Sequence, residues 1–488
     1  METSGYEEAS GRSLMQSQDI ISAAKQIADF VMVTCVGKSG AIAEFVDLER
    51  SKCFGRALLS DLGDYAPFFF WLGKISGEER YCNWAENQIR LAANFAMMPN
   101  GLFVFFDSDK TRPCYKTNMR IFEVFNQDDA ILGLVLMYEL TRKDFYLQLA
   151  QNFSCGISNA LSKQGFPYTH VIPPLKLRIP ISFPSYSGLY IEEFCRLATM
   201  TGEDSFLDTA ARIANAWIKS EYFEKHGLFS FQTLSSRFSP APRIIEYILN
   251  RRTSLNFNSS YMMKHNTNMI FGLMKAYQLT NDHGFLEAIE KWLKSLEEKM
   301  LNDSSMFYSL WNSQTKKPTN ITLESNHAIL DVLLENYVQS KETKWLDLAE
   351  NCADSWLALQ RDSGLIPEGP EKVKFLLRKR SIPELPMHFS RLDSQVDFAI
   401  VLLKLHELTG KRGYYDSCFR ILDGVLVKHR FENGLCEFVD IKTEEKYGKT
   451  IETKFLTLFI KLPIVCYEAL QGKRIYENPT LANLIRDR

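Results

Sequence analysis

The stretch Leu279-Thr280-Asn281-Asp282-His283-Gly284-Phe285-Leu286-Glu287-Ala288-Ile289 decides the fold, because the chain repeats its plan five times. Aligned on Thr280, the equivalent positions are Thr141, Thr201, Ser340 and Thr409. Six residues beyond these anchors stand Leu286, Leu147, Leu207, Leu346 and Tyr415; three further come Ile289, Ala150, Ala210, Ala349 and Cys418. One apolar-periodic helix ends at each anchor and a second follows it. Self-similarity of this kind marks helical hairpins that cannot bury their apolar faces alone and so stack on one another.

Working outward, five hairpins are predicted at roughly 127–161, 187–219, 266–300, 326–360 and 395–429. Upstream, the spacing of Ile20, Ala23, Ile27, Phe30 and Val31 predicts a helix from about Asp19 to Val33. Leu58 to Leu72 reads as an inner helix and Asn83 to Met97 as its outer partner. A last apolar helix, about 450–470, has no partner after it, and the N-terminal helix is the one element left to pair with it. Ring closure through the two ends makes about seven hairpins, or six if the N-terminal helix lies outside. The expected fold is all-α, an (α/α) toroid. It forms one domain over 15–475, after a disordered leader at 1–14 and before a C-terminal tail at 476–488.

A second periodicity follows the outer helices: Gly101-Leu102, Gly165-Phe166, Gly227-Leu228, Gly364-Leu365 and Gly434-Leu435. Glycine there supplies a left-handed turn, and the alternation that follows, as in Gly227 to Phe231, predicts short β-excursions on one rim. The long segments 222–265 and 361–394 decorate that rim, where functional loops tend to sit.

The 488-residue chain is 45% hydrophobic and 24% charged with a net charge of −2, which gives no basic footprint for nucleic acid. Its N-terminus lacks the pattern of a signal peptide, and no apolar run is long enough to span a bilayer. The ten cysteines show no CxxC pair or metal-like spacing. Reduced core thiols at Cys195, Cys352 and Cys418, a cytoplasmic location, and no metal or cofactor are therefore expected.

In a ring, the inner helices begin at the mouth of the central funnel. Fourteen residues before each anchor stand Gln127, Ser187, Asn266, Asn326 and Gln395, all uncharged hydrogen-bonding side chains. Small polar residues also cap helices, but glutamine is a poor cap and occurs twice. This column is the expected grip on substrate hydroxyls, with His327 beside it. Candidate acids and bases are Asp128 or Asp129 at one helix start, Asp397 with Asp393 at another, Glu452 before an apolar helix, and Glu324 three residues from His327. Glu368, held between Pro367 and Pro370 on the rim, is either a ligand-facing carboxylate or an exposed turn. Aromatics nearby (Tyr65, Phe125, Tyr186, Tyr190, Tyr261, Trp311) are core residues or sugar-stacking platforms. The basic run Lys372, Lys374, Arg378, Lys379 and Arg380 reads as a solvated face, or as a patch for an acidic substrate.

Four stretches carry a family resemblance. Leu59 to Asp64 leading to Trp71-Leu72-Gly73, Phe125 to Leu140, Ser187 to Ala210, and Glu452-Thr453-Lys454-Phe455-Leu456 together resemble the class I α-mannosidases, glycoside hydrolase family 47. The resemblance implies an (α/α) toroid and glycoside chemistry. Several family positions differ: Asn126 stands where the family has an acid, Gln395-Val396-Asp397 falls on its Arg-Pro-Glu, and Thr267 lies near its middle-helix aspartate. The terminal motif that supplies a threonine to calcium is absent after Asn478, so neither α-mannosidase activity nor calcium follows. N-acylglucosamine 2-epimerases are similar at the level of fold. The expected function is a glycoside hydrolase using two carboxylates across the funnel on a glycan substrate. A sugar epimerase or isomerase, and an inactive glycan- or protein-binding toroid, are the alternatives.

Overall fold

The computed structural model describes residues 17–59, 61–104, 107–109, 122–124, 127–172, 177–179, 181–230, 233–234, 260–370 and 388–485. The predicted leader, the basic run at 372–380, and Phe125 with Asn126 lie outside them.

Seven inner helices form the ring: Ala66–Ser76, Asp128–Thr141, Pro184–Thr201, Met263–Thr280, Leu323–Ser340, Leu392–Thr409 and Thr453–Leu470. Each packs on the next, and the last returns to the first, where the Trp71 indole donates to Glu468 across the seam. Their outer partners are Glu79–Leu91, Asp144–Asn159, Asp204–Ile218, His283–Met300, Thr343–Leu357, Arg412–Lys428 and, for the last, the N-terminal Ser17–Thr34 helix. Among the described residues the count is therefore seven, with the N-terminal helix part of the ring. The first hairpin departs most from the sequence reading. Its inner helix starts at Ala66 rather than near Leu58, after a single 3-10 turn at Leu62–Asp64.

The repeated anchors explain why each hairpin turns where it does. The hydroxyls of Thr141, Thr201, Thr280, Ser340 and Thr409 each donate to the carbonyl four residues back. Each also accepts from the amide two residues ahead at 3.2 Å. The residue between (Arg142, Gly202, Asn281, Lys341 or Gly410) takes the left-handed conformation that ends a helix. The apolar column nine residues on is buried at every repeat, in the layer between inner and outer helices. Trp217, Trp292 and Trp356 of the outer helices fill the same layer.

A second latch joins each hairpin to the next. Gly364 has φ +86°, and a Cβ there would lie 2.0 Å from the Arg420 carbonyl oxygen, so only glycine lets this turn rest on the following outer helix. Gly101 sits on Asn152 in the same way. Gly434 differs from the expectation: it lies in a short strand, and the left-handed residue in its turn is Glu432. The rim excursions pair into small antiparallel sheets. Ser260–Met262, Leu310–Asn312 and Lys317–Thr319 form one, and Phe389–Arg391, Phe438–Asp440 and Lys446–Tyr447 another. Ala43–Asp47 pairs with both Lys52–Ala57 and Thr450–Glu452, which ties the chain ends a second time. Three of these strands, Ser260–Met262, Phe389–Arg391 and Thr450–Glu452, run directly into the starts of inner helices, so sheets and helix N-termini share one rim.

The nine cysteines among the described residues are free thiols, with Cys195, Cys352 and Cys418 buried as expected. No helix among the described residues is long and apolar enough to cross a membrane.

Candidate active site

The polar column of the sequence is present at the mouth, but its amides face backbone. Gln127 accepts from the Phe103 amide and donates to the Phe103 carbonyl, each at 2.9 Å. Asn266 makes the same pair with Phe229, Asn326 with Phe307, and Gln395 with Ile366. Each amide thus imitates a β-ladder partner and fastens the preceding rim turn to the next inner helix. Asn266 takes a further bond from the Trp292 indole. The Ser187 hydroxyl donates to the carbonyl of Phe183, one helical turn back. These bonds tie the side chains to the walls of the mouth, so their carbonyl oxygens, expected as a grip on hydroxyls, serve the backbone instead.

The carboxylates fall into two groups. The first surrounds Arg391, which ends a rim strand immediately before the Leu392–Thr409 helix. Its guanidinium lies 3.1 Å from Glu324, 2.9 Å from Asp393 and 3.9 Å from Glu437. Lys264 approaches Glu324 at 3.4 Å from the neighbouring helix. Burial alone would raise the Glu324 carboxyl, but Arg391, Lys264 and His327 beside it hold it well below the usual carboxylate range. Burial pushes the nearby His265 imidazole down to about 4, so that ring is neutral at pH 7.

Glu368 completes this group and is not an exposed turn, being only 3% exposed. Its backbone is fixed on both sides: its amide donates to Phe389, and its carbonyl accepts from Leu323. One carboxyl oxygen accepts from the Glu324 amide at 3.1 Å, at the start of the Leu323–Ser340 helix. The other lies beside the Ser394 hydroxyl with no well-directed partner among the described residues. Burial pushes this carboxyl up to about 7 against the pull of Arg391, with Glu324 and Asp393 adding to the rise. Two glutamates that share one helix start are thereby driven in opposite directions, the arrangement that separates an acid from a carboxylate.

The second group surrounds Lys454, at the start of the Thr453–Leu470 helix. Burial disfavours its charge, yet Asp64, Glu452, Asp61 and Asp129 hold its ammonium above the ordinary lysine value. Asp129 and Glu452, both half-buried, thus meet at one cation. The Asp128 side chain lies outside what is described. Phe455 links the groups, with Arg391 over its ring at 5.7 Å and Lys454 at 5.8 Å.

Asp397 stands apart. It is one helical turn deeper than Asp393 and forms a buried ion pair with Lys461. Asp331 with Lys404, and Glu192 with Arg196, form similar pairs inside the barrel. Among the aromatics, Tyr65 and Trp311 are buried in the core, and the Tyr190 hydroxyl donates to the Val124 carbonyl. The Tyr261 side chain is not described. Sequence reading missed Arg391 and Lys264. The available signal was a charged pair, Arg391 and Asp393, flanking the first residue of an apolar helix, where charge needs a partner.

No protein-family model matches this chain, and no curated protein matches it by sequence. Solved structures do. The alpha-1,2-mannosidase from Trichoderma reesei superposes with a TM-score of 0.63 at 13% identity, covering 92% of this chain and 93% of that one. A D-mannose isomerase gives 0.56 at 12% identity over 95% and 100%. Cellobiose 2-epimerase from Bacillus thermoamylovorans B4167 gives 0.54 at 10% identity over 91% and 99%. The chain therefore has the (α/α) toroid fold of these proteins along nearly its whole length.

Proposed function

We propose that the protein is a carbohydrate-active enzyme, a glycoside hydrolase whose active site is the mouth of the toroid and whose proton donor is Glu368. The observation that carries this reading is the fixed, buried Glu368 carboxyl with one oxygen left for a ligand. Protonated near neutrality, it delivers its proton to the glycosidic oxygen as the bond from that oxygen to the anomeric carbon breaks. Asp129, held in the Lys454 group, is the carboxylate that activates water or attacks the anomeric carbon; its separation from Glu368 sets inversion or retention. The neighbours' names, a mannosidase among them, support sugar chemistry. Assay of the wild type, Glu368→Gln and Asp129→Asn against aryl glycosides and a glycan panel tests the proposal. Wild-type hydrolysis lost in both variants supports it, and a wild type inactive across the panel defeats it.

A second reading, sugar isomerisation or epimerisation, is favoured by one observation: His327 lies beside Glu324 at the same mouth. Such chemistry moves a proton at one carbon instead of cleaving a bond between sugars. Deuterium uptake into free aldoses in heavy water would distinguish it.

A further inference from the structure

The opposite end of the barrel holds a chamber that the mouth chemistry does not use. Its volume is about 120 Å³, and it lies among the C-terminal halves of four inner helices, roofed by Ile475, Tyr476, Ala482 and Asn483. The roof is fastened in place. The Ile475 and Tyr476 amides donate to Glu407, and Asn483 accepts from Arg196. Gln278 and Gln339, both exposed, mark the side where the chamber reaches solvent.

The lining charges balance: Glu192, Asp331 and Glu335 against Arg196, Lys275 and Lys404. A balanced wall gives no net attraction for an ion of either sign. It does offer both donors and acceptors: a guanidinium, a phenol, carboxylates and the amides of Gln278, Gln339 and Asn483. Phe271, Met274 and Ile475 add apolar surface. Arg196 is 5% exposed, and its Nη1 has no hydrogen-bond partner among the described residues; the Tyr476 hydroxyl likewise has none. Unmade hydrogen bonds at buried groups are destabilising, so these two residues have bonding capacity for an occupant. A chamber of this size exceeds what one water needs.

We propose that this chamber is a second binding site, for a small neutral polyhydroxylated molecule such as a monosaccharide. Hydroxyls both donate and accept, and a sugar ring presents C–H faces between them, which matches the mixed wall. The proposal is independent of the chemistry at the mouth.

Isothermal titration with D-mannose, D-glucose and glycerol, in parallel with inorganic phosphate, tests it. The expected result is a sugar-binding event that Tyr476→Phe weakens at least about tenfold and Ala482→Trp abolishes, while Glu368→Gln leaves it intact. Tyr476→Phe removes only the hydroxyl, and circular dichroism verifies that the variant folds. Sugar binding lost in Glu368→Gln but unchanged in both chamber variants overturns the proposal, as does phosphate binding without sugar binding. Failure of hydrolysis at the mouth leaves the chamber result readable, because the two sites answer to different variants.

Discussion

At the mouth, cations are outnumbered. Arg391 is shared by Glu324, Asp393 and Glu437, and Lys454 by Asp61, Asp64, Asp129 and Glu452. Deeper in the same barrel, Lys461 and Lys404 each meet a carboxylate of their own in Asp397 and Asp331. One-to-one pairing cancels charge locally. Sharing leaves carboxylates crowded round one cation, and beside them Glu368 keeps its proton because burial outweighs the pull of Arg391. The same residue types are thus put to structural use in one layer and made available for chemistry in another.

The largest effect expected of breaking this contrast is at Glu368. Replacing it with Gln should lower hydrolysis by about 10²–10⁴-fold, the range for loss of a general acid. The wild-type rate should fall as pH rises above about 7, because the donor is then ionised. A single cut in the deep layer, Asp397→Asn, should cost about 3–5 kcal/mol of stability by stranding Lys461. Replacing the pair together, Asp397→Leu with Lys461→Met, should recover most of that. Urea denaturation of the three proteins decides it, and equal losses in the single and double variants would remove the distinction between layers.

The stability of the mouth should carry a pH signature below neutrality. The folded Glu368 carboxyl keeps its proton above the ordinary value of 4.5, whereas the unfolded one ionises there. Its stabilising contribution is therefore full below that value and declines as pH rises to about 7. Relative to Glu368→Gln, the wild type should lose up to about 3 kcal/mol across that window, since each tenfold difference in proton affinity between the folded and unfolded chain is worth about 1.4 kcal/mol. A flat difference would show that the carboxyl is not raised. Smaller again is the latch: Gln395→Ala should cost about 1–3 kcal/mol for the unpaired Ile366 backbone. Hydrolysis by the surviving folded protein should change little, and a selective loss of substrate affinity would restore Gln395 to a ligand role.

The hairpins were legible because their signals are local. The Thr280-Asn281 turn and the apolar column nine residues beyond each anchor need no knowledge of the partner helix. Asn266 shows where that legibility ends. Its recurrence marked it as placed for a purpose, but sequence does not say whether an amide three residues into a helix points to the lumen or to Phe229. Glu368 raised a similar question of burial, which two flanking prolines could not answer. Its environment is made by Phe389, Leu323 and Arg391, from three other segments. Asp397 stands four residues from Asp393, and that one turn of helix separates the mouth from the paired layer.

The pairing of Ser17–Thr34 with Thr453–Leu470 also imposes an order in time. A ribosome that makes roughly 5–20 residues per second leaves the first helix waiting on the order of 20–80 seconds for its partner. Throughout that interval the face of the first helix that the last inner helix covers in the folded protein has no such cover. Every earlier hairpin can settle against its predecessor, but the seam closes only when the last inner helix has emerged. Loss of the C-terminal quarter would therefore strand the N-terminal helix as well, an injury at one end of the chain felt at the other.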